Sequence, residues 1–257
     1  MNKYELYNLV FNDGEEFTDF YFNKRRNKVI SFEKIVDGST IAIVNIVNLN
    51  LKCNNIIYKT ALITGLCTAP EKRKLGIMQD LLNEVLEKLK ADNYQLVILS
   101  PAKDNYYKKY GFTTLIKGNY KKIKYCNDNT YNIKNATKMD INLLINLYDN
   151  VASNYLNYQI IGKNIILDLI DEYLLEDTHI QIVYKDTIPV GWFIVENNKI
   201  DICVLSDNKI LNHIKNIDNY KYFEYNKNGE KELFQIKYLD NSVKPVTLSS
   251  TFVLNKY

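Results

Sequence analysis

The chain has 257 residues, 46% of them hydrophobic and 25% charged, with a formal net charge of +3. That length holds one large domain or two modest ones, each able to bury a core. No apolar run reaches about 18 residues, so no transmembrane helix is expected. Met1 to Tyr7 form no apolar leader, and a cytoplasmic protein without a membrane partner follows as the expectation. The four cysteines (Cys53, Cys67, Cys126, Cys203) are widely spaced, and His179 and His213 stand apart from them, so neither a metal site nor a disulfide framework is expected. The small positive charge is interleaved with acids, which argues against a nucleic-acid partner.

In chain order, residues 4–23 read as an amphipathic helical start interrupted near Asn12-Asp13-Gly14. Val29 to Ile35 and Ile41 to Val47 flank Asp37-Gly38, a strong hairpin signal. Tyr58 to Thr68 makes a third strand. Cys67-Thr-Ala-Pro-Glu-Lys-Arg-Lys-Leu-Gly-Ile-Met78 then leads into a helix over residues 76–91, where Met78, Leu81, Leu82, Val85, Leu86 and Leu89 form one apolar stripe. Tyr94 to Ser100 is a continuous apolar run of the kind found in central buried strands. A short helix over Asp104 to Tyr110 ends at Gly111-Phe112, and Lys122 to Tyr125 alternates basic and apolar residues like an edge or final strand.

The turn before the long helix is a candidate anion site. A helix N-terminus carries unpaired N–H groups and about half a positive charge. Gly76 allows close approach of a phosphate, and Arg73 and Lys74 add side-chain charge. Arginine occurs only at positions 25, 26 and 73, so its use here departs from a chain that otherwise takes lysine. A phosphorylated ligand is the reading.

Arg73-Lys74-Leu75-Gly76-Ile77-Met78 resembles the pyrophosphate-binding motif of the GNAT superfamily of acyl-coenzyme A-dependent N-acetyltransferases, Arg/Gln-x-x-Gly-x-Gly/Ala, with Met78 replacing the final small residue. Asp104-Asn-Tyr-Tyr-Lys-Lys-Tyr-Gly-Phe112 resembles the family's second landmark, Phe/Tyr-Tyr-x-x-x-Gly-Phe. The order of elements between them is also the family's. The resemblance, which covers residues 1 to about 124, implies an α/β (α+β) fold with a mixed, mostly antiparallel sheet flanked by helices. It also implies that acetyl-CoA wedges between two splayed strands.

The second half reads as a worn repeat of the same plan. Asp140 is a plausible N-cap for a helix through Tyr148, and helical patterning resumes over Asn164 to Leu174. A hairpin spans His179–Tyr184 and Gly191–Val195, and Ile200 to Leu205 is a further strand. Ser206 to Ile214, where a cofactor loop would belong, has neither the Arg nor the Gly. The expected division is a GNAT domain with the acetyl-CoA site over 1–124 and a degenerate GNAT-like domain over 125–257. The arrangement resembles enhanced-intracellular-survival-type acetyltransferases without their sterol-carrier-like domain.

Carried onto this sequence, the resemblance gives the cofactor contacts Leu66, Cys67 and Thr68 on the strand edge, Arg73, Lys74, Leu75, Gly76, Ile77 and Met78 at the helix start, and Ser100, Asn105 and Tyr107. Tyr107 is the implied catalytic acid, protonating the departing sulfur. Cys67 itself reads as a buried structural thiol. No general base stands out, though the carboxylate of Tyr257 is a candidate. Phe17, Phe20, Tyr21 and Phe22 could line an acceptor pocket or belong to the core. The implied reaction is N-acetyl transfer to a primary amine of a small molecule or peptide, with the acceptor and the oligomeric state open. The alternative is a non-catalytic acyl-coenzyme A-binding or regulatory protein on the same scaffold.

Overall fold

A computed structural model describes residues 1–102, 105–127, 130–243, 245 and 251–254. Asp104 and Tyr257 lie outside the described residues. The first half opens with α1 (Lys3–Phe11) and α2 (Glu15–Asp19), the latter running into a π turn over Phe20–Lys24. The strands β1 (Val29–Val36), β2 (Ser39–Cys53) and β3 (Ile56–Thr68) follow, then α3 (Ile77–Ala91), β4 (Leu96–Leu99) and β5 (Thr113–Lys122). The second half contains β6 (Tyr131–Asn135), α4 (Ile141–Ala152), β7 (Asn157–Ile160) and α5 (Lys163–Leu175). After them come β8 (Gln181–Lys185), β9 (Ile188–Glu196), β10 (Lys199–Leu205), β11 (Lys221–Tyr225), β12 (Lys231–Tyr238) and β13 (Thr251–Phe252).

Local chemistry sets the boundaries. Asn2 caps α1, its side chain accepting from the Tyr4 and Glu5 N–H groups while Glu5 accepts from the Asn2 N–H, a reciprocal capping box. Asp37 and Gly38, both at positive φ, close the β1–β2 hairpin. Asp140 stands at the N-cap of α4 as expected, but the side-chain bonds are made one turn earlier: Thr137 receives the Met139 N–H, and the Asp140 carboxylate reaches back to the Thr137 N–H at 2.8 Å. These bonds are displaced because a 3-10 turn over Lys138–Asp140 precedes the α-helix.

Thirteen strands of the described residues form one sheet in the order β13-β7-β2-β3-β4-β12-β5-β11-β10-β9-β8-β6, with β1 also paired to β2. The pairs β3–β4, β10–β11 and β7–β13 are parallel and the rest antiparallel, which is the mixed, mostly antiparallel sheet expected. The strands of the two halves interleave. β12 lies between β4 and β5, and β7 extends the edge of β2 beyond β1. β5 is therefore an inner strand, flanked by β12 and β11. The alternation at 122–125 falls at and past its end, with Ile123 fully buried, so it is not an edge strand.

α3 lays Leu81, Leu82, Val85, Leu86 and Leu89 against Val44, Ile46, Val97 and Leu99 on one face of the sheet. Each fully buried aliphatic side chain of this kind contributes roughly 1.5–3 kcal/mol. Leu49, Leu51, Leu96, Ile98, Phe234 and Ile236 fill the opposite face. In the second half α4 and α5 cover β9 and β10, and the buried Trp192 donates its indole N–H to the Leu144 carbonyl at 3.0 Å.

Candidate active site

The parallel pairing of β3 with β4 ends at Ile63↔Leu99, yet β3 continues to Thr68. Beyond that last pair the β4-facing edge of β3 is open. The neighbouring register with β2 slips between Ile43 and Asn45, where Gly65 takes φ +54° in a bulge. A side chain at this bulge would clash: a Cβ on Gly65 would stand 2.8 Å from Asn45 Nδ2 and 2.9 Å from Tyr7 Cε2. A glycine inside a strand pattern is the sequence signal that could have located this bulge.

After β3, Pro70 opens a single 3-10 turn, Lys74 takes φ +65°, and Gly76 at φ +82° starts α3 without any side-chain cap. The helix N–H groups therefore face outward into a groove of about 800 Å³. Gly76, Ile77, Met78 and Gln79 of the helix start line it, together with Leu66, Cys67 and Thr68 of the strand edge. Lys72, Arg73, Lys74 and Lys109 supply four cations, and no carboxylate is among the lining residues described. Arg73 is oriented by its Nε, which donates to the Thr68 carbonyl at 3.2 Å. Volume, charge and uncapped amides together fit a large polyanionic ligand with an amide-rich arm.

The opposite wall is the 3-10 turn Tyr106–Tyr110, closed by Gly111 at φ +81°. Tyr107 is buried and packs edge-on against Tyr106 and Phe112. Burial, reinforced by Tyr106 and Tyr110, pushes its phenol up to about 12, so it stays protonated. A second cavity of about 210 Å³ sits at the strand opening, between Thr64, Gly65, Leu99, Ser100, Phe11 and Phe234. It shares Leu66, Ala102 and Tyr107 with the groove, so Tyr107 stands where the two meet.

The structure thus gathers Leu66, Cys67, Thr68, Arg73, Lys74, Gly76, Ile77, Met78 and Tyr107 around one groove and Ser100 around the adjoining cavity. Leu75 is solvent-exposed and Asn105 serves as the positive-φ residue that starts the 3-10 turn; neither lines the groove. The Cys67 side chain points into the core, where burial raises its thiol to about 12 against the opposing charge of Arg73. Phe20 and Tyr21 are buried, and the first helices reach the cavities through Val10 and Phe11 instead. Lys72, Lys109, Gly65 and Phe11 complete the site without having been singled out in the sequence.

Residues 3–115 match the family model described as "Acetyltransferase (GNAT) domain". No curated protein sequence matches the chain. Among solved structures, a conserved protein of Enterococcus faecalis described as a probable N-acyltransferase aligns at TM-score 0.72 and 12% identity, over 92% of this chain and 69% of that one. A GCN5-related N-acetyltransferase from Anabaena variabilis aligns at TM-score 0.68 and 13% identity, over 92% and 69%. Eis1 from Mycobacterium abscessus aligns at TM-score 0.63 and 10% identity, over 92% and 70%. These likenesses extend the shared fold through both halves of the chain.

Proposed function

We propose, from a chain whose residues 3–115 match the GNAT acetyltransferase domain model and whose fold is similar to that of Eis1, that the protein is an N-acetyltransferase acting on a primary amine with acetyl-CoA as donor. One observation carries this reading. The protonated Tyr107 phenol lies where a cationic, amide-lined groove joins a small cavity at an open strand edge.

In this reading Lys72, Arg73, Lys74 and Lys109 neutralise phosphate oxygens, and the first N–H groups of α3 bind the pyrophosphate. The unpaired edge of β3 at Leu66–Thr68 takes up the amide-rich arm as an added strand would. Acetyl-CoA, when bound, supplies the activated acyl group. As the amine forms its bond to the acyl carbon and the carbon–sulfur bond breaks, Tyr107 donates its proton to the sulfur; the nitrogen gives up a proton to solvent, and solvent reprotonates Tyr107. The amine attacks directly from the small cavity, with no covalent enzyme intermediate. A protonated phenol at the junction favours turnover over coenzyme binding alone. The groove belongs to the half assigned to 1–124, and the half from 125 on is read as a degenerate GNAT-like domain without a cofactor motif.

Calorimetric titration with acetyl-CoA tests the placement. Wild type should bind in the micromolar range, and Arg73→Ala combined with Gly76→Glu should abolish binding. A well-folded wild type that does not bind acetyl-CoA would sink the proposal.

A further inference from the structure

We propose that Thr64 receives the acceptor amine, its hydroxyl held in place by a buried relay through Tyr21 and Asn45; this rests on the acyltransferase reading above. The small cavity at the strand opening is walled mostly by apolar groups, among them Phe11, Leu62, Leu99 and Phe234. In such a cavity the few polar groups fix a ligand's orientation. Thr64 is one of them, on the first residue of β3 beyond its last pairing with β4, and it is 8% exposed.

The Thr64 hydroxyl is not free to turn. It is hydrogen-bonded to the Tyr21 hydroxyl, which lies 3% exposed in the core. The Tyr21 ring is itself clamped, stacked on Tyr7 at 4.9 Å and met edge-on by Phe22 at 4.9 Å. Behind it stands Asn45, 0% exposed, the strand partner of Thr64 on β2. Neither amide atom of Asn45 has a partner at hydrogen-bonding geometry, although its amide lies beside the Tyr21 hydroxyl. Gly65 leaves room for this contact: a Cβ there would fall 2.8 Å from Asn45 Nδ2 and 3.2 Å from the Tyr21 oxygen.

A buried amide without a partner is costly and calls for an explanation. The relay supplies one. Thr64 donates to Tyr21, and Asn45 Nδ2 faces the same phenol oxygen as a second donor, so Thr64 Oγ1 turns only lone pairs to the cavity. That arrangement accepts an N–H from an incoming amine and leaves the nitrogen lone pair directed at the acyl carbon. No carboxylate is among the described residues lining the cavity, and only the neutral amine has a lone pair for the acyl carbon, so the ligand class is a primary amine that reacts uncharged. Catalytic hydrogen bonds of this type tighten when the ligand is bound.

The test titrates the CoA complex with n-butylamine and with spermidine, and measures amine saturation with acetyl-CoA as donor. Thr64→Val, which keeps the shape and removes the hydroxyl, should weaken amine binding and raise the amine KM about tenfold, the loss expected for one neutral hydrogen bond. Its affinity for acetyl-CoA should stay that of wild type, which also shows that the variant is folded. Thr64→Ser should keep wild-type amine affinity within about twofold, and Tyr21→Phe should lose part of it. Amine binding unchanged in Thr64→Val, or lost equally in Thr64→Ser, would overturn the assignment while the acyltransferase reading stands. Failure of wild type to bind acetyl-CoA would remove both.

Discussion

Asp168 accepts the backbone N–H of Arg26 at 2.8 Å and the guanidinium of the same residue at 3.1 Å, across 142 residues of sequence. The Asn27 N–H donates to the other carboxylate oxygen at 2.8 Å, and Asp168 is fully buried. Arg26 also bonds Asp171 at 2.8 Å. α5 is thereby fastened to the segment between the first helices and β1. Replacing Asp168 by Ala would strand two backbone donors and leave the Arg26 guanidinium with Asp171 alone, and should cost about 3 kcal/mol in urea unfolding. A loss below about 1 kcal/mol would show that the clamp is not structural.

The same clamp has an acid limit. Burial alone would raise the Asp171 carboxyl, but Lys138 at 2.6 Å and Arg26 outweigh it and hold the group below its usual range. A carboxyl lowered in the folded state stabilises above its unfolded value of about 4 and loses that contribution as pH falls further. Wild type should therefore lose more stability than Asp171→Asn between about pH 4 and pH 2. Parallel acid-unfolding curves for the two proteins would contradict this.

Tyr107→Phe should lower kcat by about 100-fold while the affinity for acetyl-CoA is retained. Because the phenol is pushed up to about 12, its ionisation should not depress the rate below about pH 11. A rate that falls already at pH 9 in wild type but not in the Phe variant would contradict the buried, protonated phenol.

The two glycines of the site should respond differently to alanine. Both hold positive φ, but a Cβ at Gly76 meets nothing within 4 Å, whereas at Gly65 it meets Asn45 and Tyr7. Gly76→Ala should cost only the left-handed backbone term, about 1–2 kcal/mol. Gly65→Ala should cost visibly more, and equal melting temperatures for the two variants would refute the close packing at the bulge.

The thiols should separate by burial. Cys126 is exposed, Cys53 and Cys67 are buried, and burial raises both buried thiols to about 12. At neutral pH a disulfide reagent should label Cys126 first and leave Cys53 and Cys67 untouched until the chain unfolds. Rapid labelling of Cys67 would mean that the strand edge beside the groove opens readily.

What was legible in the sequence was local. Asp37-Gly38 located its hairpin, the apolar stripe located α3, and Gly76 marked where that helix begins, because each depends on residues within a turn or two. The groove lining follows from the same segment. Pairings between distant segments left no such trace. Nothing around Lys231 to Tyr238 announces that it lies between β4 and β5, since β-patterning specifies a buried face and not a partner. Phe11 and Phe20 are alike in sequence, and only the turn at Asn12–Gly14 decides that the first reaches the cavity and the second the core. Arg25 and Arg26 were visible as rarities, but their carboxylate partners on α5 were not.

The position of β12 also governs how the chain is made. As it leaves the ribosome, β4 and β5 emerge more than a hundred residues before the strand that joins them. Until then both expose unpaired backbone along one edge, the kind of surface that recruits other chains. The walls of the site can form early, but the sheet beneath them closes only once residues 231–238 have emerged, so nascent chains stalled short of residue 231 are the ones most prone to aggregate and to need a chaperone.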